Sequence, residues 1–335
     1  MSSISFISLL KECLKKHCKT KQSVLLGLSG GPDSLALFYG LIELKKGSEL
    51  EFAVAHIDHR WRKESSAEAI HLQQLALTHD VPFHLKVLDP SLLKGNLESA
   101  CRDERLNFFK KLCSDFDHQA VVLGHHQDDR AETVLKRIFE GSGLPNIGGL
   151  SLHSVNDGLT ILRPLITMSK SEIGKWLEER NISAFEDSTN LDVKYLRGRF
   201  RAVLIPYLAK EFGKEIAAPL NRLADEAQEL KEHLDVALKP YLANTGHDAS
   251  GVYLDLSVMR PASLFELKHL LRRFCQQEGI CLNHAVLGEM CRFLLDGDFN
   301  KRFIIKKKTM IVDRKRLFIQ ANEKQDMKDR AADER

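Results

Sequence analysis

At 335 residues, with 43% hydrophobic and 28% charged positions, the chain is long enough for two domains and a sizeable core. Its composition is that of an ordinary globular protein, which excludes a disordered or fibrous chain. The formal net charge of +3 neither demands nor excludes a nucleic-acid partner, and seven cysteines without a Cys-x-x-Cys pair argue against a disulfide framework, a zinc site or an iron–sulfur site and fit a reducing cytoplasm.

The chain opens with "MSSISFISLLKECLKKHCK", where Ile4, Ile7, Leu10 and Leu14 recur at helical spacing and predict an amphipathic helix. This stretch lacks the basic start and small-residue cleavage site of a signal peptide. No apolar run approaches a membrane span, so no membrane partner is expected. Strand-like segments follow at 24–28, 52–57, 83–87, 120–124 and 159–162. Helical patterns such as 65–77, 97–112 and 129–139 lie between them. Such alternation predicts an α/β fold with a doubly wound parallel sheet. Ligands in such folds bind beyond the carboxyl ends of the strands, which directs attention to the loops at 29–34, 56–60 and 125–129. Past Pro206 the composition changes. "AAPLNRLADEAQELKEHLDVALKPYL" reads as a linker helix, with Pro219 tolerated near its start. Helices at 263–277 and 284–295 and strands at 303–307 and 315–319 then predict a smaller α+β domain. The expected division is a catalytic domain at 1–210, a linker helix at 211–240, the small domain at 241–321 and a polar tail at 322–335 that frays.

The sharpest signal is "VLLGLSGGPDSLALFYG" at 24–40. A strand feeding two glycines and then a helix start is an anion site, because backbone N–H groups and the positive end of the helix dipole face the ligand. Gly30 and Gly31 can take open dihedrals, Pro32 suits the first helical position, and Ser29 and Ser34 can add hydroxyl donors. The usual phosphate-loop lysine is missing, since no Gly-Lys-Ser or Gly-Lys-Thr follows. Asp33 would be unwelcome beside a bare polyphosphate unless Mg2+ sat between them, which makes Asp33 the candidate metal ligand.

The string Ser29-Gly30-Gly31-Pro32-Asp33-Ser34 after a buried strand resembles the pyrophosphate-binding (PP) loop of the N-type ATP pyrophosphatases. These enzymes release pyrophosphate from ATP and adenylate their substrate. "AHIDHRWR", "NLESACRDERLNFF", "LGHHQDDRAETVLKRIFEGSGLPNIGGL" and "FEDSTNLDVKYLRGRFRAVLIP" resemble, in the same order, the tRNA(Ile)-lysidine synthetase family. The resemblance is strong over residues 20–210 and looser over the linker helix and 260–320. The extra carboxy-terminal domain of longer members has no counterpart, so the resemblance is to a short member. It implies ATP-dependent modification of the wobble cytidine of CAU-anticodon isoleucine tRNA. ATP adenylates the oxygen on carbon 2, the amine of free lysine attacks that carbon, and AMP leaves. The anticodon of the product reads AUA instead of AUG. Cytoplasmic location, ATP and Mg2+ follow from the same resemblance, and a homodimer is left open.

The residues suit that chemistry. Asp129 and Glu132, three apart at a helix start, share a face and could hold the amino groups of lysine; helix capping is the bland alternative, preferred for Asp128. Of the adjacent His125 and His126, one serves packing, and the catalytic role is assigned to His126. His56, in the second loop, is assigned to ATP. Asn96, Glu98, Arg102 and Arg105 fall on one helical stripe, and Arg102 is the candidate catalytic cation for a phosphate or the transferring adenylate. Arg197, Arg199 and Arg201 are candidate tRNA-backbone contacts. Residues 301–316 hold eight Lys or Arg against one Asp, so Lys306, Lys307 and Lys308 are candidates for grip on an RNA stem; a merely soluble sheet edge is the alternative. Two readings compete with lysidine synthesis. A PP-loop thiolase needs cysteine spacing that this chain lacks, and a non-catalytic tRNA-binding protein leaves Asp33, Asp129 and Glu132 without a purpose.

Overall fold

The chain divides into two compact units, Met1–Gln228 and Glu229–Arg335. The structure is a computed structural model and describes residues 3–19, 21–47, 50–60, 65–89, 97–184, 196–248, 251–257, 263–296, 301–305, 308–313 and 316–321. In the first unit the strands are β1 (Ser23–Gly27), β2 (Glu51–Asp58), β3 (Phe83–Val87), β4 (Ala120–Val122), β5 (His153–Asn156) and β6 (Leu159–Leu162). They form one sheet in the order β3-β2-β1-β4-β6-β5. All run parallel except β5, which pairs antiparallel with β6. Its helices are α1 (Ser3–His17), α2 (Pro32–Lys45), α3 (Ser65–Thr78), α4 (Leu97–Asp115), α5 (Gln127–Phe139), α6 (Leu144–Ile147), α7 (Lys170–Glu178), α8 (Leu196–Arg199) and α9 (Ile205–Phe212), and α10 (Ala217–Leu242) begins in this unit and ends in the second.

The central strand explains itself. Val24, Leu25 and Leu26 are wholly buried, because a parallel strand covered on both faces reads as an unbroken apolar run. On one face Val24 and Leu26 meet Phe6 and Leu10 of α1, Phe38 and Leu41 of α2, Leu72 of α3 and Trp176 of α7. On the other, Leu25 packs with Phe109 and Leu112 of α4. The predicted doubly wound sheet is therefore present, and the expected strands fall on β1, β2, β3, β4 and β6. The edge strand β5 was not expected, because His-Ser-Val-Asn shows no apolar alternation. Its signal is the turn: Asp157 and Gly158 both have positive φ, at 48° and 80°, the two-residue hairpin geometry that Asp-Gly favours.

Across this sheet, Gly124 lies after β4 and touches the helix start after β1. A Cβ there would stand 3.1 Å from the Asp33 carbonyl carbon and from the Ser34 nitrogen. Gly124→Ala is expected to displace that backbone by a few tenths of an ångström. The ATP Michaelis constant should rise several-fold while the melting temperature moves by only a few degrees; a larger effect on melting than on ATP use would contradict this.

The second unit holds β7 (Thr245–Asp248), β8 (Gly251–Asp255), α11 (Leu264–Gln277), α12 (His284–Asp296), β9 (Lys301–Ile305), β10 (Lys308–Asp313) and β11 (Arg316–Ala321). Its sheet is antiparallel, ordered β7-β8-β11-β10-β9. Leu270, Leu271 and Phe274 of α11 pack with Met290 of α12 and with Met310, Val312 and Leu317 of the sheet. Two strands were expected here and five are present among the described residues; β7 is a four-residue edge strand that carries Thr, His and Asp.

The break between the two compact units falls inside α10. Ala224 and Ala227 pack with Val134 and Ile147 of the first unit, whereas Leu234 and Leu238 belong to the core of the second. Among the described residues no helix is long and apolar enough to cross a membrane.

Candidate active site

The loop after β1 is held by its own hydroxyls. The Ser29 N–H donates to Ser34 Oγ at 3.2 Å, and the Ser34 hydroxyl donates to the Gly31 carbonyl at 3.0 Å. Ser29 Oγ lies 3.1 Å from Ser34 Oγ. The two serines thus staple the loop to itself, a role the sequence reading did not give them. Gly30 has φ of 87°, a backbone conformation that a β-carbon would strain. Gly31 is the N-cap of α2 with no side-chain capping bond, and Pro32 takes the first turn. The opening amides of α2 therefore have no side-chain acceptor at the cap and face outward as an anion seat.

Asp33 stands in that first turn. Its Oδ1 is buried with no hydrogen-bond partner among the described residues. Burial, reinforced by the Asp129 carboxylate, pushes its carboxyl above the usual range despite the pull of His126 and Lys170. A buried carboxylate oxygen without a donor fits a cation. Among the described residues no group of three or more His, Cys, Asp or Glu could hold a metal alone. A divalent ion on Asp33 would therefore take its remaining ligands from phosphates and water, as Mg2+ ordinarily does.

The loop after β4 brings a second acidic group to the first. His126 is the N-cap of α5 and forms a capping box with Asp129. The His126 N–H donates to Asp129 Oδ2 at 3.0 Å. Its ring Nε2 lies 3.7 Å from Asp33 Oδ2 and 3.4 Å from Asp129 Oδ2, and Nδ1 lies 3.2 Å from Asp128 Oδ2. Burial opposes charge on this imidazole, but Asp128, Asp129 and Asp33 together outweigh it and hold the pKa above its ordinary value. Asp128, expected to be the cap, instead accepts the Lys170 N–H at 2.9 Å; the cap is His126. Asp129, for which capping and function were weighed against each other, does cap the helix and also faces the site. Burial works against its ionisation, yet His126 and Arg201 hold its carboxyl below the usual range.

Arg201 was expected on tRNA backbone. Instead its guanidinium bridges two carboxylates, with Nη2 donating to Asp129 Oδ1 and Nε to Glu132 Oε1. The pairing uses the Nε–Nη2 edge of the planar guanidinium. Arg201 lies in a π-helical turn, Phe200–Leu204, where the Ile205 N–H reaches back to the Phe200 carbonyl. Pro206 follows at the start of α9. A proline there lacks an N–H and crowds the preceding carbonyls, and the extra residue in the turn re-aims Arg201. With Arg201 in place, Glu132 Oε2 remains buried and without a hydrogen-bond partner among the described residues. Burial raises the Glu132 pKa more than Arg201 lowers it.

The other candidates are placed elsewhere. His56 is buried beneath the loop, where its Nδ1 donates to the Leu28 carbonyl at 2.7 Å; its contact is with the strand leading into the loop. Arg102 does not join the acids but shares a neighbourhood with Arg105, Arg137 and Arg163, whose cations it disfavours. Arg197 belongs to the same group, and Arg199 is exposed. In the second unit Lys306 and Lys307 lie outside the described residues. Lys308 donates to the Glu278 carbonyl and lies 3.8 Å from the Glu278 carboxylate. Lys301 pairs with Glu289 at 3.2 Å and Arg316 with Asp255 at 3.4 Å. Among the described residues of this stretch, Lys301, Lys308 and Arg316 are thus partnered within their own unit, which weakens the case for Lys308 as an RNA contact.

Comparison with known proteins bears on this geometry. The family model of the PP-loop domain matches residues 3–208. A tRNA(Ile)-lysidine synthase of Protochlamydia amoebophila is 41% identical over 94% of this chain and 69% of its own. That of Chlamydia muridarum is 34% identical over 90% of this chain and 93% of its own. Among solved structures, a U34-tRNA thiolase of Methanococcus maripaludis aligns with a TM-score of 0.56 at 17% identity, covering 68% of this chain and 78% of that one. That likeness is one of fold.

Proposed function

The chain belongs to the tRNA(Ile)-lysidine synthase family of PP-loop enzymes, whose activity is ATP-dependent lysidine formation on tRNA(Ile), and we propose how its residues divide that reaction. The observation that carries the proposal is the position of His126, with one ring nitrogen 3.7 Å from Asp33 and 3.4 Å from Asp129. It puts the anion seat of α2 and the acidic group of α5 within one side chain of each other.

ATP lies with its β- and γ-phosphates against the opening amides of α2, and Gly30 and Gly31 let the backbone come close. A Mg2+ ion on Asp33 would neutralise charge building on the leaving pyrophosphate. The oxygen on carbon 2 of the wobble cytidine of a CAU anticodon attacks the α-phosphorus, and the bond to pyrophosphate breaks. His126, biased toward its charged form, stabilises the negative charge on the phosphoryl oxygens. In the second step the amine of free lysine attacks carbon 2 and AMP departs with the oxygen. Glu132, whose raised pKa suits a base, takes the proton that the attacking amine must lose. A cytoplasmic setting fits the free thiols, of which burial pushes Cys13 and Cys275 up to about 12; such inert thiols also disfavour thiolase chemistry.

Asp129 is saturated by Arg201 and His126, while Glu132 keeps an oxygen without a partner. Lysine therefore depends on Glu132 more directly. Glu132→Gln should slow lysine transfer, through loss of the base, and raise the lysine Michaelis constant about ten- to a hundredfold, the loss of one charge-assisted contact, with the ATP constant within twofold. Asp129→Asn should lower the melting temperature and damage ATP and lysine use together. Lysine-dependent AMP release from ATP and tRNA(Ile), with mass analysis of the product nucleoside, tests the reading as a whole. Equal effects of Glu132→Gln on both constants would move Glu132 to the nucleotide.

A further inference from the structure

Four arginines of the first unit act on one another, and of these Arg197 also acts on Glu132. Arg102 and Arg105 are one turn apart on α4, Arg163 follows β6 directly, and Arg197 lies on α8. Arg105 feels the cations of Arg197 and Arg102, and Arg163 that of Arg102, each beyond the cost of its own burial. No ion pair to any of the four occurs among the described residues. The Nε atoms of Arg105 and Arg163 are buried with no hydrogen-bond partner there. One Arg163 Nη1 is fixed by the Ser151 carbonyl at 3.0 Å and Ser154 Oγ at 2.9 Å, so its fork is aimed and does not sweep solvent. Beside them His125 is kept neutral by burial and by Arg163, Arg105 and Arg197, while Asp129 pulls the other way. The imidazole therefore marks the border between this cationic group and the acidic one.

Crowded like charges with unmet donors are stable only when an anion joins them. ATP already has a seat at α2. The lysine carboxylate carries one charge, too little for four guanidinium groups. The group is also graded: Arg102 and Arg197 are exposed, Arg105 is half-buried and Arg163 is buried. That grading suits a chain of anions entering from solvent. Chemistry on a wobble base requires the base to leave its stack, and the phosphates on either side turn inward with it.

We propose that Arg102, Arg105, Arg163 and Arg197 seat the phosphodiesters flanking the wobble nucleotide and thereby set the depth at which its base meets the catalytic carboxylates. The proposal rests on the lysidine synthase reading for the identity of the RNA, but its test does not depend on turnover. Arg102 and Arg197 bind from the rim, Arg105 and Arg163 from within, and Arg forks match phosphate oxygens two at a time.

The test measures affinity of the full-length protein for a labelled anticodon stem–loop of tRNA(Ile), with natural phosphates or with uncharged methylphosphonates on both sides of the wobble cytidine. The wild type should bind the uncharged RNA about ten- to a hundredfold more weakly. The double variant R102A/R197A should bind the natural RNA more weakly by a similar factor, with a logarithmic salt slope smaller by about 0.7–0.9 per lost contact. Replacing the phosphates should then cost that variant clearly less than it costs the wild type, because the rim contacts are already gone and only Arg105 and Arg163 remain. Arg105→Lys, which keeps the charge and loses the fork, covers the case in which loss of a buried cation unfolds the protein; it should melt near the wild type and still lose RNA affinity severalfold. Independent, fully additive penalties would overturn the proposal. So would unchanged RNA affinity with a raised lysine Michaelis constant, which would make the group a carboxylate seat. Failure of the wild type to form lysidine while the phosphate coupling holds would count against the assigned reaction and not against this site.

Discussion

Asp33→Asn is expected to slow pyrophosphate release from ATP in the presence of Mg2+ and tRNA(Ile) by about a thousandfold, the several kcal/mol that a metal bridge supplies to a phosphoryl transfer. It should do so while making the protein more resistant to heat. Asp33 is buried at the start of α2 with Oδ1 unpartnered, and burial raises its pKa above the unfolded value of 3.8. A carboxyl whose folded pKa is raised binds more protons folded than unfolded, so its ionisation lowers stability as pH rises from 3.8 through the folded value. An uncharged amide removes that penalty. The gain in melting temperature should therefore be complete above the folded pKa and vanish below pH 4. This is the usual trade of stability for a charged site. Melting curves at pH 4 and pH 8, beside a pyrophosphate assay at several Mg2+ concentrations, separate the two effects. A normal rate would remove Asp33 from the metal; a destabilised protein at pH 8 would mean that its carboxylate has a structural partner.

What the sequence discloses depends on how local the cause is. The buried run Val24-Leu25-Leu26, the glycines at 30 and 31 and the proline at 32 act within a few residues of one another, so the strand, the loop and the helix start are all legible from one short string. Asp129 and Glu132 are likewise legible as one face, because i and i+3 always are. Arg201 is not. Its partners lie 72 and 69 positions away, and its direction is set by a π-helical turn whose one local sign is Pro206. The pairing of Lys301, Lys308 and Arg316 is hidden for the same reason, since Glu289, Glu278 and Asp255 lie on other elements. Charge is counted along the chain but neutralised across the fold. The strand β5 had a local sign, Asp157-Gly158, but the weight given to apolar alternation hid it. The arginines at 102, 105, 163 and 197 come from three segments, and only the fold assembles them.

Arg201→Ala should be the most damaging single change in the first unit. It leaves Asp129 and Glu132 buried, with side-chain exposures of 10% and 6%, and without the cation that both now hold. Removing one partner of such a group costs about 3 kcal/mol or more, roughly 6–12 °C in melting temperature for a unit of this size. The loss has a sign in pH. Without Arg201 the Glu132 carboxyl, already raised above its unfolded value of 4.5, rises further, so the variant loses stability as pH climbs from there through the new folded value. In the wild type Asp129 is held low, and its contribution is present above its unfolded value of 3.8 and disappears as pH falls through the folded one. Both trends widen the gap between wild type and variant with rising pH, so it should be small near pH 4 and largest near pH 8. Arg201→Lys keeps a charge but cannot bridge both oxygens in plane and should fall between the two. Lysine transfer should fail in Arg201→Ala even at a pH where the variant is folded, because Glu132 then ionises only at higher pH and loses its fixed orientation. A melting difference that is the same at pH 5 and pH 8 would show that Arg201 does not neutralise these acids, and the lysine seat would have to be sought away from α5.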